Sequence, residues 1–311
     1  MESKNVVVLY PESEFTFDQL QKLSFAGKVS FVDSVSSGSL SGLAKYLRDA
    51  DIVAFSPDLF GGNAKKRLSE ILEKSPKVKS LALNSTQADY VDADYCLKRN
   101  IAISVVLNPS VVAVAEFAVL LLLGSSRRIF VNGWQSQKRM YKWELGSELT
   151  GKTLGIIGVD AVAERIIRIV KPFGVRIFIC NEPPRRVEEA ERKSLGEILC
   201  HSDLIILNLL NNEENKGFLS KERINCLKQG AVVVNLTEWA IVDEKAMVEA
   251  LKSKRIDQYV FETDRIKPSP LDKIENAVAF KKLSGYTRES ADRSRSAWVR
   301  NISDMAGHPT S

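Results

Sequence analysis

The stretch GKTLGIIGVDAVAER, Gly151 to Arg165, holds the residues whose types and spacing bear most directly on chemistry. An apolar, β-branched run ends at Gly158, a turn follows and a helical pattern begins, which is how a nucleotide-binding βαβ unit opens. A GxGxxG fingerprint at that turn lets the backbone touch a pyrophosphate resting on the helix N-terminus. Here the three fingerprint positions are Gly158, Asp160 and Ala163. Gly158 keeps the tight turn, and Ala163 is small enough for close packing of helix on strand. Asp160 sets a negative charge where phosphates would lie, and its carboxylate is expected to take the free amides of the following helix.

The elements that must position this turn follow from the rest of the pattern. The 311 residues exceed what one core usually organises, which predicts two domains. Buried-strand runs at Asn5–Tyr10, Asp51–Ser56, Val78–Asn84 and Arg99–Val106 alternate with helical stretches. Six more follow, ending at Gly158 and then at Val175–Cys180, Ser202–Leu209, Ala231–Leu236, Tyr259–Glu262 and Asn276–Phe280. Between the two sets, Ser110 to Arg128 is helical and apolar, and an aromatic arm with Trp134 and Trp143 follows, its tryptophans read as core anchors. The closing amphipathic helix with Trp298 is expected to return to the first domain. The fold predicted is α/β, two Rossmann-like domains with doubly wound parallel sheets and a cleft between them. Residues 1–104 with 287–311 form a flavodoxin-like domain, and 105–286 a nucleotide-binding one that includes an arm over about 111–150.

Composition narrows the function classes. The net charge of +5 comes from 44 basic and 39 acidic residues spread along the chain, which argues against nucleic acid and membrane surfaces as partners. No apolar run approaches the ~18 residues of a membrane span. Cys96, Cys180, Cys200 and Cys226 are far apart in sequence and form no CxxC, which predicts reduced thiols in a cytoplasmic protein and no metal.

From about Val78 onward the order of motifs resembles the D-isomer-specific 2-hydroxyacid dehydrogenase family. AVAEFAVLLLLGSSRRI is similar to the family's helix that begins VAE and ends in paired arginines, and WELGSELTGKTLGIIG to the approach to its cofactor domain. HSDLIILNL resembles its SD-strand, LKQGAVVVNLTEWAIVDEKAMVEALKSKRI its K.GA.liN.ARG stretch, and SPLDKIENAVAF the segment before its catalytic histidine. The resemblance implies oxidation or reduction of a 2-hydroxy or 2-oxo acid with a nicotinamide cofactor, an arginine for the substrate carboxylate and a histidine-glutamate pair for the proton.

At those three places the chain departs from the family. The arginine position is Glu238, which reverses the charge; the glutamate position is Asp264, one methylene shorter; and the histidine position is Lys282. A lysine titrates near ~10.4 and cannot easily cycle a proton at neutral pH. The glycine-rich substrate loop is replaced by NSTQADYVD, Asn84 to Asp92, and the ribose position by Asn181 and Glu182, followed by Arg185 and Arg186. A site around Gly158, Val159, Asp160, Ala163, Asn181, Glu182, Leu209 and Thr237 is then expected to favour S-adenosylmethionine or another adenosine-type ligand over NAD(P), since a carboxylate attracts a sulfonium or amine. The function expected is a homodimer that is no working dehydrogenase, its cleft either repurposed or inert as in a pseudoenzyme. The alternative is an NAD(P)-dependent 2-hydroxyacid or 2-oxoacid oxidoreductase with a non-standard active site built on Glu238, Asp264 and Lys282.

Overall fold

Runs such as Asn5–Leu9 and Leu204–Leu207 are apolar almost throughout rather than alternating, as strands must be when helices cover both faces of their sheet. The computed structural model describes residues 3–33, 40–59, 64–139, 144–180, 187–210 and 212–308. The chain begins with β1 (Asn5–Leu9), α1 (Phe17–Ser24), β2 (Lys28–Phe31), α2 (Leu40–Leu47), β3 (Ile52–Phe55), α3 (Ala64–Glu73), β4 (Ser80–Leu83), α4 (Ala93–Lys98) and β5 (Ala102–Val105). It continues through α5 (Val111–Ser126), α6 (Ile129–Gln137), β6 (Thr153–Ile157), α7 (Ala161–Val170), β7 (Arg176–Cys180) and β8 (Glu191–Arg192). Then come α8 (Leu195–His201), β9 (Leu204–Leu207), α9 (Lys221–Cys226), β10 (Ala231–Asn235), α10 (Glu244–Lys252), β11 (Ile256–Glu262), β12 (Ala277–Phe280) and α11 (Arg288–Met305). Among the described residues no helix is long and apolar enough to cross a membrane.

Two compact units result: Met1–Ser110 with Arg288–Ser311, and Val111–Thr287. The first has a five-stranded parallel sheet in the order β2-β1-β3-β4-β5, the flavodoxin-like arrangement. Successive residues of β1 point to opposite faces: Val7 and Leu9 join one core, Val6 and Val8 the other. The second core is closed by α11, where Trp298 is fully buried, stacks on Phe15 with ring centroids 5.8 Å apart and donates its indole N–H to the Ala82 carbonyl at 2.9 Å. The returning helix read from the sequence is therefore a wall of the first unit.

The second unit has seven parallel strands in the order β12-β11-β10-β9-β6-β7-β8. Starting from β6, this is the doubly wound order with its switch point between β6 and β9. One face of the sheet packs on α5 and α7 and the other on α8, α9 and α10. The N-terminal end of β9 is pinned to that of β6 by Asp203, which accepts from Thr153 N at 2.9 Å and from Lys228 Nζ at 2.7 Å.

Two features of the sequence reading need correction. Its strands omit β2 and β8, which lie at the sheet edges, one half exposed and the other only Glu191–Arg192, so neither writes a buried-strand pattern. Trp134 is not a core anchor: it is 41% exposed, with Lys138 Nζ 4.0 Å above its ring. Trp143, Arg185 and Arg186 lie outside the described residues.

Candidate functional site

In a doubly wound sheet, ligands sit beyond the C-terminal ends of the strands at the switch point. In the second unit this place is formed by Gly158 after β6 and Asn208 after β9. The turn leaves β6 with Gly158 at φ +92, and a Cβ there would lie 2.1 Å from the Asn208 carbonyl oxygen, so only glycine fits. Val159 and Ala163 are buried in the core that holds α7 against the sheet. Val159 can therefore offer a ligand only its backbone.

Asp160 takes the N-cap of α7. Its Oδ1 accepts from Val162 N at 2.8 Å and Ala163 N at 3.0 Å, the amides that a bound phosphate would otherwise take. The same oxygen accepts from Asn208 Nδ2 at 2.8 Å, and that amide also reaches the Gly158 carbonyl at 3.3 Å. Asn208 is a site residue that the sequence reading missed, because nothing marks an asparagine after a strand as the partner of a turn fifty residues earlier. The turn and the close packing fit a dinucleotide. The carboxylate makes its diphosphate a competitor for the helix end. Thr237 and Leu209 lie beside this turn, but the Thr237 hydroxyl is engaged with Leu207 O, Leu209 O and Leu209 N at 3.1–3.3 Å. Asn181 and Glu182 lie outside the described residues.

The three departures from the family come together beyond the ends of β10, β11 and β12. Glu238 and Lys282 form an ion pair, and Asp264 Oδ2 lies 3.2 Å from the same ammonium. Two carboxylates against one ammonium leave one negative charge. Burial is the largest influence on Lys282 and acts to lower its pKa, but the hydrogen bonds and charges of Glu238 and then Asp264 outweigh it. The ammonium is held above the ordinary lysine value of 10.5.

Buried polar groups hold each of these residues in place. Asn235, fully buried, accepts from Thr237 N at 2.9 Å and donates to the Glu238 carbonyl at 3.3 Å and to Tyr259 Oη at 3.0 Å, which fixes the loop bearing Glu238. Glu262 is only 5% exposed, and its carboxylate accepts from Leu283 N, Ser284 N and Ser284 Oγ at 2.5–2.7 Å. It positions the segment that carries Lys282. The sequence signal was there, an acid closing the apolar run YVFE, but it reads equally as a strand end. Arg265 lies 3.8 Å over the Trp239 ring and is paired with Glu244 at 2.8 Å, so its charge is already matched.

The pH dependence of the cluster has a definite sign. A raised pKa in the fold gives stability that is fully present below the unfolded value of 10.5 and is lost as pH rises through the higher folded value. Lys282→Met should therefore lower stability by under about 1 kcal/mol, Lys282 being 46% exposed and screened by solvent. Urea titrations should give the same deficit from about pH 6 to about pH 9 and a shrinking one only in strong alkali. A deficit that changes near pH ~6.5, where a histidine titrates, would show that another group governs the cluster.

Comparison with known proteins places this geometry. The sequence model described as "D-isomer specific 2-hydroxyacid dehydrogenase, NAD binding domain" matches residues 119–282, which include Gly158, Asp160, Glu238, Asp264 and Lys282. A glyoxylate reductase from Aeropyrum pernix is 31% identical over 252 residues, 75% of each chain. Among solved structures, a glyoxylate reductase from Paecilomyes thermophila superposes with TM-score 0.83 at 22% identity, covering 100% of this chain and 98% of the other. An acyclic imino acid reductase in complex with NADPH and D-Arg gives TM-score 0.81 at 22% identity, covering 98% of each.

These findings overturn two expectations. The preference for S-adenosylmethionine or another adenosine-type ligand over NAD(P) fails, because the matched region is an NAD-binding domain. The reading as a non-dehydrogenase or pseudoenzyme fails with it, since the similar curated relative is a reductase. Both rested on the charge of Asp160 at the phosphate position and on the replacement of the family's arginine, glutamate and histidine. In the structure the Asp160 carboxylate is held by three hydrogen-bond donors, and the switch-point frame around it is intact. With its fold, its NAD-binding region and the order of its motifs in agreement, the chain belongs to the D-isomer-specific 2-hydroxyacid dehydrogenase family.

Proposed function

We propose that this protein is an NAD(P)-dependent oxidoreductase acting at C2 of a 2-oxo or 2-hydroxy acid, with an active site that departs from its family. The observation that carries the reading is the assembly of Glu238, Asp264 and Lys282 at one place beyond the strand ends of an NAD-binding unit. A fold neighbour that holds NADPH supports the cofactor. The nicotinamide, when bound, supplies or accepts the hydride.

The chain's own residues would divide the remaining work. The turn from Gly158 to Ala163 and the N-terminus of α7 would hold the diphosphate, with Asp160 yielding at least one amide to it. Lys282 would direct its ammonium at the substrate's C2 oxygen, as a hydrogen-bond donor that keeps its own proton at neutral pH. Glu238 and Asp264 fix that ammonium from two sides, and Glu262 holds its loop.

The protein also exposes apolar residues that a monomer has no use for: Val112 and Leu120 on α5, Ile129 and Trp134 on α6, and Leu145 at 93% exposure. We propose that a second copy of the chain covers them. Light scattering at micromolar concentration should give twice the mass of 34.6 kDa. A single-chain mass would sink the dimer.

Two measurements test the enzyme reading. Purified protein should oxidise NADH or NADPH with glyoxylate or pyruvate, and calorimetry should show binding of at least one reduced cofactor. The absence of both would end the assignment. Asp160→Gly should tighten cofactor binding about ten-fold, since it frees the amides of Val162 and Ala163 and removes a like charge. Weaker binding in the variant would mean that Asp160 serves the cofactor rather than competing with it.

A further inference from the structure

Resting on the oxidoreductase reading, we propose that the preferred acceptor is the protonated imine of a 2-oxo acid, formed with ammonia or a small primary amine, and that Glu238 and Asp264 select it over the free 2-oxo acid.

The first argument is charge. The Glu238, Lys282 and Asp264 cluster carries one net negative charge, and the nearby Arg265 adds none because Glu244 matches it. A free 2-oxo acid brings a neutral C2 oxygen and an anionic carboxylate to this cluster, so its net charge is repelled. An iminium acid is a zwitterion, so it adds no net charge, and it offers a cation to Glu238 Oε2 and Asp264 Oδ1, the carboxylate oxygens that the pairing with Lys282 does not use. Glu238 is the decisive position, since an arginine there, as in the resembled family, would make the cluster positive.

The second argument is the proton. Hydride transfer from a reduced nicotinamide to a ketone carbon breaks the C=O π bond and leaves an alkoxide, which must then take a proton. The neighbouring donor is Lys282, whose two carboxylate partners hold its proton firmly. A protonated imine already carries that proton. Hydride adds to its carbon, the π pair becomes the nitrogen lone pair, and a neutral amine and the oxidised nicotinamide result with no donor needed. Both arguments use groups placed by buried partners, Glu238 through Asn235 and Lys282 through Glu262, so the cluster is a built arrangement.

The test compares glyoxylate or pyruvate with and without methylamine, in the presence of NADH or NADPH. Methylamine should raise cofactor oxidation at least about ten-fold and yield the N-methyl amino acid by mass spectrometry. Without cofactor, calorimetry should show N-methylalanine binding more tightly than lactate. Glu238→Gln, with Asp264→Asn as a second variant, should reduce both preferences while melting temperature stays within a few degrees of the parent. Oxidation that is equal with and without methylamine and yields only the hydroxy acid overturns the inference and leaves the oxidoreductase reading standing. No oxidation under either condition overturns the inference, and if no reduced cofactor binds either, it overturns both. Full amine preference in both variants overturns the assignment to these carboxylates.

Discussion

A parallel sheet covered by helices on both faces leaves its strand ends as the main place for polar groups that are to meet solvent or a ligand. In the second unit that constraint sorts the chain into two levels. At the N-terminal ends, Asp203 ties β9 to β6 and to Lys228, a fastening that holds the strands in register. At the C-terminal ends lie Asp160, Asn208, Asn235, Glu238, Glu262, Asp264 and Lys282. The chemistry depends on this end gathering the loops that follow β6, β9, β10, β11 and β12.

Within that end, the residues that do the holding are more deeply buried than those they hold. Asn235 and Glu262 are almost inaccessible, whereas Glu238, Asp264 and Lys282 are reached by solvent. A buried carboxylate without hydrogen-bond donors would cost several kcal/mol, so Glu262 effectively dictates the path of Leu283 and Ser284. The geometry of Lys282 is thus set by a group buried behind it in the sequence of strand and loop.

Much of this was legible in the sequence, for physical reasons that differ from residue to residue. Strands such as Val6–Leu9 and Leu204–Leu207 announce themselves because burial on both faces demands continuous apolar residues, whereas β2 and β8, at the edges, do not. The capping role of Asp160 follows from a short acidic side chain at the start of a helical pattern. Where the sequence misled was in treating that carboxylate as an unscreened charge, since its partner Asn208 is brought close only by the pairing of β6 with β9. Glu238, Asp264 and Lys282 were visible through the family's motifs, and their opposite charges already suggested a cluster able to pair. Which carboxylate oxygens meet the ammonium is set by three loops converging.

The Glu238–Lys282 pair binds two distant positions into one unit of sequence change. Relative to the family's arginine and histidine, a charge reversal at one position is matched by a fixed cation at the other. Restoring arginine at 238 alone would set two cations side by side, and restoring histidine at 282 alone would leave both carboxylates facing a weaker base. A single change at either position therefore gives an ill-matched pair. Anyone redesigning this site faces the same epistasis, and Asp264, which touches the cation in the present arrangement, makes it a problem in three positions.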